Sequence, residues 1–179
     1  MRTVSLTFAA IAFATTAPAA ASEAGWDTAS DIGAVVLGAW SAGVPAATGD
    51  AHGALQAGMS VGAAYAVATG LKEAFPETRP DGSDDRSFPS GHTAASFAAA
   101  ATIYERRGAG EGIPAFALAT LVGVSRVEAR KHYWYDVVAG AAIGTASGLL
   151  LTRPLADKRV AFVPWASSTG GGATVDFVF

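Results

Sequence analysis

Five stretches of this chain carry no Asp, Glu, Lys or Arg: residues 32–49, 51–71, 87–104, 112–125 and 137–152. Each is about 14 to 21 residues long, against roughly 20 for a membrane-spanning helix. They consist mostly of Ala, Gly, Val and Leu. Ala and Leu favour helix, and scattered Gly lets helices approach closely. The pattern predicts an all-α bundle of about five helices. Charged loops at residues 81–86 and 105–111 separate some of them. The second stretch is long enough to cross a bilayer, whereas the fourth is shorter and interrupted by Pro114. A compact soluble bundle with small-residue interfaces fits the same pattern, so both placements stay open at this point.

The two ends of the chain read differently. Residues 1–21 combine Arg2, an apolar run and Ala19-Ala20-Ala21, the pattern of a secretory signal peptide cleaved before Ser22. The competing reading is an uncleaved membrane anchor. Either one predicts export, to the periplasm or the periplasmic face of the inner membrane. Residues 160–165 and 174–179 are β-prone and flank a Gly-rich turn, so residues 160–179 are expected to form a short C-terminal β-hairpin. Pro164 suits an edge position. The helical domain is then expected over residues 22–159.

Composition narrows the classes of function. At 179 residues the chain suits one domain. Hydrophobic residues make up 51% and charged residues only 15%, where about 25% is usual, which favours a membrane relationship. The net charge of −3 gives no basic patch for nucleic acid, so no nucleic-acid partner is expected. Without cysteine there is neither a disulfide framework nor a thiolate metal site.

Chemistry concentrates in three short stretches. In SFPSGHT, Pro89 cannot sit inside a helix and Ser90 is a good helix cap. That places Gly91 and His92 in a first turn, where unpaired N–H groups and the helix dipole attract anions. KEAFPETRP carries Lys72 and Arg79. SRVEARKHYWYD carries Arg126, His132 and Asp136. Arg suits bidentate contacts to phosphate and Lys adds a point charge. On a helix, His132 and Asp136 share a face, so the carboxylate can accept one imidazole N–H and leave the other nitrogen as a nucleophile. His92 is left as proton donor to a leaving oxygen and then as base toward water. Each residue alone has an ordinary explanation, such as helix capping by Lys72 or a surface pair for His132 and Asp136. The joint spacing argues against all of these together. His52 belongs to no motif, and Glu128, Arg130 and Lys131 are expected to be solvated. Tyr133, Trp134 and Tyr135 are either packing or an interfacial belt.

Taken together the stretches read K-x6-RP, PSGH and SR-x5-H-x3-D. This resembles the superfamily of type 2 phosphatidic acid phosphatases and vanadium-dependent haloperoxidases. The resemblance implies a helical phosphate-ester hydrolase; no metal or other cofactor is expected, because nothing in the sequence reads as a carboxylate-rich cation site. It implies His132, His92 and Asp136 as catalytic groups, and Lys72, Arg79, Ser90, Gly91 and Arg126 around the phosphate. It also implies a membrane-associated enzyme acting on phosphorylated lipids or diphosphates through a phosphohistidine. A soluble acid phosphatase acting on small phosphoesters, a vanadate haloperoxidase and a non-catalytic envelope scaffold are the alternatives.

Overall fold

The computed structural model describes residues 3–9, 22–154, 159–167 and 170–178. Residues 10–21, where the leader's cleavage site is expected, lie outside the described residues.

Among the described residues, six α-helices follow one another: α1 (Glu23–Gly38), α2 (Val44–Ala47), α3 (Ala51–Ala74), α4 (Gly91–Arg107), α5 (Ala109–Glu128) and α6 (Trp134–Leu151). A π-helical turn, Ala39–Gly43, joins α1 to α2. The first helix therefore begins at Glu23, well before the charge-free stretch at residue 32. Ser22 caps it by accepting from Gly25 N at 3.1 Å. Its amino-terminal turns carry Glu23, Asp27 and Asp31, which a search for charge-free segments passes over. Pro114 does not interrupt α5, because it lies within the first two turns and removes one ladder bond there.

The centre of the bundle is α4, which packs against α1, α3, α5 and α6. Its buried side chains are small, with Ala94, Ala98, Ala99, Ala100 and Ala101 almost fully enclosed. Against α6 the contact is closer than side chains normally allow. A Cβ on Gly140, Gly144 or Gly148 would collide with the carbonyl oxygen of Ser90, Ala94 or Ala98 respectively. This four-residue glycine spacing gives α6 a bare stripe into which the α4 backbone settles. Leu37, Ile103, Ala115, Ala119 and Val122 close a second contact among α1, α4 and α5.

Outward, the bundle is apolar. Val35, Leu55, Tyr65, Ile113, Leu121, Val138 and Leu150 are all exposed. Among the described residues, α6 is a candidate membrane span by length and composition. Its 18 residues rise about 27 Å, close to the ~30 Å hydrocarbon core of a bilayer.

Among the described residues, three strands accompany the helices. β1 (Thr3–Ala9), β2 (Arg159–Ser167) and β3 (Gly170–Val178) form an antiparallel sheet in the order β1-β3-β2. The apolar run of the expected leader thus contributes a strand, with Thr3 opposite Val178. Val4, Leu6 and Phe8 alternate with Thr3, Ser5 and Thr7, a period-two pattern that also fits a strand. β2 holds an edge, where Pro164 loses no second ladder partner.

Candidate active site

Helix ends converge at one end of the bundle. The last turn of α3 brings Lys72 and the first turn of α4 brings Gly91 and His92 behind the cap Ser90. The last turn of α5 brings Arg126, and the first turn of α6 brings Asp136. The α5–α6 turn is tight. Arg130 takes a positive φ of 53°, which reverses the chain and delivers His132 just before α6.

Asp136 is completely buried and does two jobs at once. Its Oδ2 accepts from Tyr133 N at 2.9 Å, closing the start of α6, and from Ser87 Oγ at 2.6 Å. The same oxygen stands 3.5 Å from His132 Nδ1, long for a hydrogen bond. His132 Nδ1 and Asp136 Oδ1 are both buried without a partner. Burial pushes the His132 imidazole down to about 4; Asp136 opposes this, and Lys72, Arg126 and Arg79 add to it. The ring is therefore neutral at pH 7, the state in which a nitrogen lone pair is available.

The cations are held rather than loose. Lys72 Nζ donates to the carbonyls of Arg86, Ser87 and Pro89 at 2.6, 3.0 and 2.6 Å, and so pins the strand of loop leading into α4. Arg79 Nε donates to Asp84 Oδ1 at 2.6 Å. Arg126 is 4% exposed, and its Nη1 donates to Asp27 and to Ser30 Oγ. Its Nε is buried without a partner. Taking Nη1 leaves the Nε–Nη2 edge, the side-on face that can donate to two oxygens of one phosphate. Ser90 caps α4, with its Oγ accepting from Thr93 Oγ1 at 2.9 Å. His92 Nε2 lies 2.9 Å from Asp31 Oδ1.

A family model, the PAP2 superfamily, matches residues 53–159, a span that contains all eight of the candidate site residues. The chain belongs to the PAP2 superfamily. A lipid A 1-phosphatase of Porphyromonas gingivalis is 38% identical over 82 residues, covering 44% of this chain and 18% of that protein. A lipid A 4'-phosphatase of Helicobacter pylori is 34% identical over 119 residues, covering 60% of each. The chain thus spans less than two thirds of either relative. The crystal structure of Aquifex aeolicus LpxE superposes with a TM-score of 0.60 at 22% identity, covering 72% of this chain and 84% of that one. It shares the helical fold.

Several residues around this PAP2 site were not anticipated. Asp27, Ser30 and Asp31 reach it from α1, and Asp84 and Ser87 from the loop before α4. Lys131, expected to be solvated, instead pairs with Asp81 at 2.7 Å, and its carbonyl accepts from Arg79 Nη1 at 3.4 Å. Arg130 Nη2 donates to the carbonyl of Pro80 at 3.1 Å. Together they clamp the α5–α6 turn to the loop that carries Arg79. A signal existed for the α1 acids: Asp27 and Asp31 are one turn apart in a chain poor in charge.

Proposed function

We propose that this chain is an exported phosphatase that removes phosphate monoesters from lipids through a phosphohistidine on His132. The observation that carries the reading is the pairing of a buried, neutral His132 with Asp136 beside three cations, Lys72, Arg79 and Arg126. Catalytic hydrogen bonds are often long before substrate binds, so the 3.5 Å separation of that pair fits the role.

In the proposed reaction, Arg126, Arg79 and the N–H groups at the start of α4 hold the equatorial phosphate oxygens, while Lys72, whose three donors hold loop carbonyls, adds its positive charge beside them. Charge spreads onto those oxygens in the transition state, where fixed donors stabilise it. His132 forms a bond to phosphorus as the bond to the leaving oxygen breaks. The electron pair of that bond goes to the leaving oxygen, which takes a proton from His92. Water then gives its proton to His92 and attacks phosphorus. The N–P bond breaks, its electrons return to His132, and inorganic phosphate leaves. Asp136 holds the His132 ring and stabilises the positive charge it acquires.

The lipid substrate is supported by the exposed apolar side chains around the bundle and by the names of the two curated relatives. Trp134, 69% exposed at the site end of α6, suits the interface between headgroups and hydrocarbon. Export rests on the leader-like pattern of residues 1–21. The test is phosphate release from a panel containing lipid A, phosphatidic acid, a polyprenyl diphosphate and small phosphoesters, in detergent with EDTA. Preference for a lipid phosphate supports the reading. Activity confined to small esters, or lost on chelation and restored by a divalent ion, contradicts it.

A further inference from the structure

Helix α1 lies outside residues 53–159, the span matched by the family model, yet it places three polar side chains on site residues. Asp27, Ser30 and Asp31 occupy one helical face, at relative positions i, i+3 and i+4. The register of that face is fixed by packing. Gly33 sits so close to Val122 on α5 that a Cβ there would clash, and Leu37 is fully buried in the same contact.

We propose that Asp31 is the positioning residue for His92, giving each of the two histidines a carboxylate of its own. The proposal rests on the reading of His92 as acid and base. An ionised carboxylate only accepts hydrogen bonds, so the 2.9 Å contact places a proton on His92 Nε2. Nδ1 is then the nitrogen left for chemistry. In the first half-reaction His92 is an imidazolium, and Nδ1–H gives its proton to the leaving oxygen. Burial and the positive charge of Arg126 push the imidazole below its ordinary value; the adjacent Asp31 carboxylate, together with Asp27, opposes them and so favours the cation. In the second half-reaction Nδ1 carries the lone pair that takes the proton of water. Throughout, Asp31 holds the ring in one orientation.

The two pairs differ in exposure as their tasks require. His132 and Asp136 are 2% and 0% exposed, which protects a covalent intermediate. His92 and Asp31 are 42% and 61% exposed, which lets leaving group and water reach the ring.

The test compares turnover of an alkyl phosphate and of nitrophenyl phosphate by the full chain in detergent, for the wild type, Asp31→Asn, Asp31→Glu and His92→Ala. Thermal unfolding confirms that each variant is folded. A nitrophenolate leaves without a proton, so loss of the acid raises the ratio of nitrophenyl to alkyl turnover. General acid catalysis is worth roughly 10²- to 10⁴-fold, which sets the expected rise for His92→Ala. A charge-assisted contact of this exposure is worth less, and Asp31→Asn is expected to raise the ratio about tenfold. Asp31→Glu should return it toward the wild-type value. A ratio unchanged in Asp31→Asn, with His92→Ala still selective, overturns the role of Asp31 and leaves that of His92 standing. No selectivity in His92→Ala overturns both.

Discussion

At the scale of single residues, the candidate site places charge where it cannot relax. His132 is buried beside cations, so its proton is expelled and the ring is neutral. The imidazole is expected to titrate near 4, against about 6.5 for a free one. The consequence for stability has a definite sign. Above about 6.5 the ring is neutral in both folded and unfolded chains; as pH falls toward 4 the unfolded chain binds a proton that the folded chain refuses, and stability drops. An NMR titration of labelled histidine, with His132→Gln for assignment, checks this; a midpoint near 6.5 would contradict it. Ser87 belongs to the same network. Ser87→Ala removes the 2.6 Å donor to a buried carboxylate, and is expected to cost about 1–3 kcal/mol of stability and to lower turnover. Equal melting temperature and equal turnover would show that the contact does nothing. The motif residues were legible because three spacings coincide. Ser87 was not, since a serine three residues before a cap has no spacing rule that points to it.

At the scale of elements, glycine spacing decides how near two helices come. On α6 the Gly140, Gly144 and Gly148 stripe seats the α4 backbone, and with it the relative heights of Ser90 and Asp136. The two are joined directly, Ser90 N donating to the Asp136 carbonyl at 3.0 Å. Gly144→Leu should therefore cost about 1–3 kcal/mol or more through overpacking, and should lower turnover by moving Asp136 away from α4. Gly58 makes the opposite case, because a Cβ there meets nothing within 4 Å. Gly58→Ala is expected to gain about 0.5–1 kcal/mol from helix propensity alone. Thermal unfolding of both variants in one detergent tests the contrast; equal shifts would refute it. The sequence pattern conveyed that glycines allow close packing, but not which ones face a neighbour, since that depends on the rotation of each helix. The start of α1 was hidden for a related reason. Its acids look like a loop until they are seen to bond Arg126 and His92.

At the scale of the whole molecule, an apolar exterior surrounds a bundle whose candidate site lies at one end. That arrangement suits a lipid phosphate, whose chains stay in hydrocarbon while the phosphate reaches the helix ends. The protein is accordingly expected to stay with the membrane fraction through a carbonate wash; release into the supernatant would contradict a bilayer-embedded bundle. Fold class and site location followed from charge-free stretches and motif spacing, which are local properties. The neutralising partners of the cations did not, because Asp27 and Asp84 meet Arg126 and Arg79 only after the chain folds. The central claim is the covalent intermediate on His132. Reaction of the full chain with a lipid substrate carrying a radiolabelled phosphate, quenched in alkaline detergent, tests it, with label followed on wild type and on His132→Ala. The account predicts an acid-labile, base-stable label on the wild-type protein and none on the variant; equal labelling of both would contradict it.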